Sequence, residues 1–175
     1  IPQKPARLLV NYKNIDKLHW RMIKINYEQY KDLFTNRRRT EEKQYVMLTA
    51  MKPAYSDMVT LPDPGDFQFH ATEIELPAAK QWLYILLTSA DRSFKFKNNI
   101  LSYGIIQYSQ ISYISRKQPG SKGDHEYFVR DRDSGLPLVN AVAEVWIQKY
   151  DNKKRIYNDV EYGTYKTDKN GYFIL

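Results

Sequence analysis

The chain has 175 residues, of which 42% are hydrophobic, 27% charged and 14% aromatic, and its formal net charge is +7. That length provides for one large domain or two small ones, and the apolar and aromatic content excludes a disordered chain. Cysteine is absent, which excludes disulfides, zinc–thiolate sites, iron–sulfur clusters and cysteine nucleophiles within these residues.

The first part of the chain is dominated by the alternation of apolar and polar residues that is typical of β-strands. This pattern predicts strands at residues 7–12, 17–22 and 67–76. Pro77 ends the third strand, because proline has no N–H to give to a sheet ladder. In the first two strands the apolar phase consists of Leu8, Val10, Tyr12, Leu18, Trp20 and Met22.

Residues 27–44 interrupt this pattern. They are rich in Glu, Gln, Lys and Leu, they do not alternate, and Tyr30, Leu33 and Phe34 lie at helical spacing. We therefore expect one or two short helices inserted between strands. The run of Pro and Gly at residues 62–65 predicts a turn after this insertion.

Two longer apolar segments follow. Residues 82–89 are apolar on both faces, which predicts a central strand covered by a second sheet. Residues 100–114 form a β-branched and tyrosine-rich run that predicts one long strand, with a polar turn at 91–99 before it. Strands that recur between turns, with almost no helix, predict an all-β fold of antiparallel, immunoglobulin- or fibronectin-like β-sandwiches, with a short helical insertion in the first.

Glycine usage indicates where the chain divides. Two of the seven glycines fall in residues 1–115 and five in the rest. The polar, glycine-containing segment 116–123 lies at the change and predicts a linker. We therefore expect a first sandwich at 1–115 and a second domain at 124–175.

The second domain has a recognisable strand pattern. We expect strands at residues 127–130, 139–147, 162–167 and 172–175, with Gly135 in a turn and a hairpin turn at 151–154. Gly171 suits the loop of a longer hairpin that would join the last two strands. The inward face of the second strand consists of Val139, Ala141, Ala143, Val145 and Ile147. A complete sandwich of this type needs about seven strands in about 100 residues. We therefore expect the second sandwich to be incomplete and the chain to be a fragment.

The positive charge is spread along the chain. Residues 1–115 hold 16 Lys and Arg against 11 Asp and Glu, and residues 116–175 hold 11 against 9. The one dense basic cluster, Arg37-Arg38-Arg39, is followed by two glutamates. Nucleic-acid binding needs a sustained basic surface with stacking aromatics, so we expect no nucleic-acid partner. The longest apolar run, residues 82–87, is far shorter than a membrane span of about 20 residues.

No candidate catalytic or metal residue forms a convincing group. Glu73 and Glu75 share an outward strand surface, which predicts solvation rather than acid–base catalysis. The histidines are far apart in the sequence, which predicts solvent contact rather than metal ligation. Asp131 and Asp133 lack the spacing of a calcium-binding loop. We expect no catalytic residue, no metal and no cofactor. The residues considered are His19, His70, His125, Asp131, Asp133, Asp168, Glu73 and Glu75.

The three tryptophans are candidates for a sugar-stacking surface. Trp20 and Trp82 are in phase with apolar neighbours, which favours a core position for both. Trp146 opposes the apolar face of its strand, so it is either exposed or buried in a domain interface. The aromatic content thus leaves a surface adhesion or glycan-binding module as an alternative function.

Two sets of motifs carry a family resemblance. The first consists of Asn11-Tyr-Lys-Asn-Ile-Asp-Lys-Leu18, Leu61-Pro-Asp-Pro-Gly-Asp66, Thr72-Glu-Ile-Glu-Leu-Pro77 and Lys97-Asn-Asn-Ile-Leu-Ser-Tyr103. The second consists of Asp131-Arg-Asp-Ser-Gly-Leu-Pro-Leu-Val-Asn-Ala141 and Lys166-Thr-Asp-Lys-Asn-Gly-Tyr-Phe173. Together they resemble the amino-terminal macroglobulin domains of bacterial alpha-2-macroglobulin-like proteins. The second set also resembles carboxypeptidase-regulatory-like and other cell-surface sandwich modules.

The resemblance implies a structural part of an exported protein that entraps proteases in the periplasm or at the cell surface. Its implied partners are neighbouring macroglobulin domains of the same full-length chain and, for the full-length protein, proteases. A membrane would be reached only through an anchor outside these residues. In many relatives a thioester formed from Cys and Gln captures the protease. This chain has no cysteine, so we expect scaffold domains without enzymatic activity of their own, and we expect a targeting segment to have been removed.

Overall fold

The computed structural model describes residues 1–34, 39–62, 65–120, 123–153 and 155–175. The chain is predominantly β-strand, with two short helices, and it divides into two compact units, Ile1–Ser109 and Gln110–Leu175. Neither helix is long and apolar enough to cross a bilayer. The expected all-β class with a helical insertion is confirmed.

The first unit contains two antiparallel sheets and a helical pair. The larger sheet has the strand order β3-β2-β5-β6, and the smaller one pairs β1 with β4. The elements are β1 (Ala6–Tyr12), β2 (Lys17–Ile25), α1 (Tyr27–Phe34), α2 (Glu41–Ala50), β3 (Tyr55–Thr60), β4 (His70–Leu76), β5 (Trp82–Ser89) and β6 (Leu101–Tyr108).

The larger sheet is covered on both faces, so the first unit has three layers. One hydrophobic cluster joins Trp20 of β2 and Leu86 of β5 to Leu76 of the smaller sheet. A second cluster joins alternate residues of β5, such as Ile85, to Leu48 of α2. The prediction that β5 is central is confirmed, but a second sheet covers only one of its faces. The helices cover the other, because successive side chains of a strand point to opposite faces.

Local capping determines where the helices begin. The side chain of Asn26 accepts a hydrogen bond from the backbone of Gln29 at 2.8 Å, and the Gln29 side chain accepts one from the backbone of Asn26 at 2.9 Å. Thr40 caps α2. The helical insertion predicted at 27–44 is therefore present, although α2 extends to Ala50, and residues 35–38 lie outside the described part of the chain.

The second unit also contains two antiparallel sheets. Its strands are β7 (Ile111–Lys117), β8 (His125–Asp131), β9 (Val142–Asp151), β10 (Ile156–Lys166) and β11 (Tyr172–Ile174). The order of one sheet is β11-β8-β7, and the other is the hairpin of β10 and β9. The register of this hairpin shifts between Glu161 and Gly163, which is a β-bulge.

The expected strand at 100–114 and the linker at 116–123 were both placed incorrectly. The hydroxyl of Tyr108 donates to the carbonyl of Pro77 at 3.1 Å, which holds the end of β6 in the first unit. The carbonyl of Gln110 instead accepts from the backbone of Arg132 in the second unit, at 2.7 Å. The chain therefore changes unit between these two residues, inside what appeared to be one apolar run.

The segment 116–123 belongs to a hairpin and is not a linker between the two units. It contains the end of β7 and the loop that leads to β8, and those two strands pair in register from Ile111 with Asp131 to Lys117 with His125. Glycine and polar residues suit a hairpin loop as well as a linker, which explains the error. Residues 121–122 of this segment lie outside the described residues, as do residues 63–64 and 154 of the two expected turns at 62–65 and 151–154.

Two local expectations also differ from the structure. The strand that we expected to begin at residue 67 begins at His70. Phe67 has a positive φ of 57°, which is not an extended conformation and excludes this residue from the strand. The strands on either side of Gly171 do not form one hairpin, because β10 pairs with β9 and β11 with β8. The backbone of Val129 donates to the carbonyl of Gly171 at 2.7 Å, which directs the chain to β8 after the turn.

Candidate functional site

The aspartates that were considered for calcium act as acceptors in turns. Asp131 accepts from the backbone and the hydroxyl of Ser134, both at 2.8 Å. Asp168 accepts from the backbone N–H groups of Asn170 and Tyr172 at 2.8 and 2.9 Å. The pKa of each carboxyl lies below its usual value. The main cause is the hydrogen bond from the Ser134 backbone for Asp131, and the hydrogen bond from the Tyr172 backbone for Asp168. Both carboxylates therefore have a structural role in their turns.

The histidines lie on three different strands. His70 contacts Asp66, with 2.8 Å between Nε2 and Oδ1, while His19 lies on β2 and His125 begins β8. A backbone bond from Gln68, followed by the bond to His70, lowers the pKa of Asp66. Among the described residues there is no group of three or more His, Asp or Glu side chains that could hold a metal ion.

Glu73 and Glu75 share the outer face of β4, as their spacing predicts. Both are exposed, and Glu73 lies 3.5 Å from the guanidinium of Arg7 on the paired strand β1. An exposed pair of this kind contributes little to stability. The structure thus gives these two carboxylates surroundings that are typical of a solvated surface.

The tryptophans have three different environments. Trp20 is 4% exposed and lies in the core, as predicted. Trp146 is 54% exposed on the polar face of β9. Trp82 is 45% exposed, so the prediction that it is a core residue is wrong. It is the first residue of β5, and its indole N–H donates to the carbonyl of Ile25 at 2.7 Å, which holds the ring at the end of the sheet.

Trp82 borders a cleft of about 590 Å³ at that end of the larger sheet in the first unit. We call it the Trp82 cleft. The side chains around it that can form hydrogen bonds include Asn26, Tyr27, Gln81 and Gln107. All residues that line it are uncharged. The ammonium group of Lys24 lies 4.0 Å from the centre of the Trp82 ring, so a cation–π contact covers part of the indole.

The second unit contains an apolar cavity of about 250 Å³ between its two sheets. Ile111 and Tyr113 of β7, Tyr127 of β8 and Ala143 of β9 are among the residues that line it. Tyr127 stacks on Phe173, with ring centres 4.9 Å apart. The cavity is an unfilled part of the core, because in the described part of this unit only Thr167, Gly171 and Phe173 are buried.

Sequence reasoning did not find either the Trp82 cleft or the apolar cavity. The cleft is built from residues 25–27, 81–83 and 107–109, which no local motif connects. The residues that line the apolar cavity come from β7, β8, β9 and β11 and from the loops beside them, which no local motif connects either.

Comparisons with known proteins add no family. The chain matches no protein-family model, and a search of curated proteins finds no match. The fold defines the class: an all-β protein with antiparallel sheets, consistent with an immunoglobulin-like sandwich, and with two short helices in its first unit.

Proposed function

We propose that the two units are non-catalytic packing domains of an exported alpha-2-macroglobulin-like protein that entraps proteases. The sequence motifs that resemble macroglobulin domains suggest the family. The structural observation that supports a packing role is the open apolar cavity of the second unit, lined by residues of four strands.

A cover over the cavity would add to the stability of this unit. Three of its lining side chains, Ile111, Tyr113 and Val142, are exposed, and Tyr113 is 67% exposed. Burying an apolar side chain of this size stabilises a protein by about 1.5–3 kcal/mol. Exposed apolar surface around an unfilled core is typical of a surface that packs against another domain. A neighbouring macroglobulin domain is the cover that this function provides.

The motifs of the second unit serve this packing role. Asp131 organises its own turn, and Gly171 allows the chain to pass close to Val129. Thr167 is buried, donates to the carbonyl of Leu138 at 2.6 Å and accepts from the backbone of Ala141 at 2.8 Å. These residues shape a scaffold, and covalent capture by a thioester would need a cysteine that this chain does not contain.

The first test measures inhibition of trypsin, elastase and subtilisin on a large protein substrate and on a small peptide substrate. We expect the isolated chain to inhibit neither reaction, and stoichiometric inhibition by it would refute the proposal. The full-length protein, purified from the cell envelope, should protect the enzyme from large substrates only, since entrapment leaves the active site open to small ones.

A pair of variants tests the packing surface in that full-length protein. Tyr113→Asp places a charge at the cavity, whereas Tyr162→Asp changes an exposed tyrosine of β10 that does not line it. We expect Tyr113→Asp to reduce entrapment and Tyr162→Asp to leave it unchanged. Equal effects of the two variants would contradict a packing role for the cavity.

A further inference from the structure

We infer that the Trp82 cleft binds a neutral carbohydrate. This inference concerns the first unit and does not depend on the packing role of the second. It rests on three properties of the cleft: a fixed and half-exposed aromatic ring, side-chain amides available for hydrogen bonds, and an uncharged lining.

The ring is held in place before any ligand arrives. The indole N–H of Trp82 donates to the carbonyl of Ile25 at 2.7 Å, and the ammonium group of Lys24 lies over the ring, 4.0 Å from its centre. The neighbouring corner is also fixed, because Asn26 and Gln29 cap α1 by reciprocal hydrogen bonds. A ring whose rotation is already restricted loses little entropy on binding. Its exposed 45% offers an apolar surface to the C–H groups of a sugar.

The amides supply the directional contacts. Within the described chain, the side chains of Gln81 and Gln107 make no hydrogen bond, and both residues line the cleft. A side-chain amide can donate and accept at once, and sugar hydroxyls do the same. Two such amides beside an aromatic ring therefore match a ligand that carries several hydroxyl groups.

The absence of charge in the lining selects against other ligands. The residues that line the cleft are uncharged, and the ammonium groups of Lys24 and Lys31, which contact its Trp82 and Tyr27 rings, are not bidentate partners for a phosphate or carboxylate. A proline-rich peptide also binds aromatic-lined grooves, so decaproline is the competing probe in the test. The exposed rings of Trp82 and Tyr27 and the two side-chain amides match the C–H groups and hydroxyls of a pyranose.

The test uses NMR titration of the ¹⁵N-labelled chain with cellohexaose, chitohexaose and maltohexaose. The chain has three tryptophans, so three indole N–H signals report on three sites in one spectrum. We expect at least one oligosaccharide to shift the Trp82 signal in a saturable manner below about 10 mM, while the signals of Trp20 and Trp146 stay unchanged. Decaproline serves as the peptide probe and should cause no shift.

Variants separate the ring from the amides. Gln107→Ala should weaken binding by about three- to tenfold, which corresponds to one lost hydrogen bond, and it should preserve folding because the side chain is exposed. Trp82→Ala should abolish binding, and Trp146→Ala is the control that should retain it. The inference is overturned if no oligosaccharide shifts Trp82, if binding depends on Trp146 alone, or if only decaproline binds. None of these results would affect the protease test.

Discussion

Gly171 and Gly135 form a matched pair that tests how the second unit is built. Both have a positive φ, 72° and 73° respectively, so alanine at either position adopts an unfavourable backbone conformation at a cost of about 1 kcal/mol. A Cβ on Gly135 would meet no atom within 4 Å, whereas one on Gly171 would lie 2.3 Å from the carbonyl oxygen of Val129. The backbone must therefore move only in Gly171→Ala.

That movement weakens two backbone hydrogen bonds, from Val129 to Gly171 at 2.7 Å and from Leu138 to Val129 at 3.0 Å. With about 1 kcal/mol for each bond, Gly171→Ala should reduce the free energy of unfolding by about 3 kcal/mol, and Gly135→Ala by about 1 kcal/mol. The Trp146 indole signal reports on the second unit alone, and its loss in a urea titration measures both values. Costs within about 0.5 kcal/mol of each other would refute the close approach at Gly171.

Three further predictions concern the core, a buried hydroxyl and acid stability. Leu48→Ala should lower the free energy of unfolding of the first unit in urea by about 3 kcal/mol, because this fully buried residue holds α2 against the sheet. Val46→Ala, at an exposed position of the same helix, should cost less than about 0.5 kcal/mol. Equal costs would disprove the helical layer. Thr167→Val should lower stability by about 2 kcal/mol, because the two part-buried backbone groups that bond the threonine hydroxyl lose that partner. Thr167→Ser keeps the hydroxyl and should retain most of the stability. The pKa of Asp168 is lowered on folding, so its contribution to stability is full above the unfolded pKa of about 3.9 and is lost as the pH falls through the lower folded value. The melting temperature of Asp168→Asn should therefore vary less between neutral and acidic pH than that of the native chain. An equal pH dependence of the two melting temperatures would contradict this role.

Alternation in the sequence predicted the parts of the fold whose two faces differ. Leu18 and Trp20 occupy the core because each lies in a run where polar residues separate the apolar ones, and β5 was identified as central because it lacks such a separation. The change of unit after Tyr108 was not predictable in this way. β-Branched residues and tyrosines recur on both sides of it, and only hydrogen bonds between remote segments show where the chain leaves the sheet.

The candidate site was less predictable for a related reason. Trp82 is in phase with the buried Tyr84, so periodicity assigns both to the core, but periodicity carries no information about where the neighbouring layer ends. Gln81 and Gln107 are unremarkable in sequence, and only the pairing of β5 with β6 brings their segments to the same end of the sheet. Sites assembled from strand ends depend on register, which local patterns do not determine.

The double coverage of β5 has a consequence for hydrogen exchange. Its amides are paired on both edges, and its side chains are covered on both faces, so their exchange with solvent requires the first unit to unfold as a whole. In the described second unit each sheet has a partner layer on one side only, and the space between the two layers is incompletely filled. Its amides should therefore exchange through smaller local openings than those of β5.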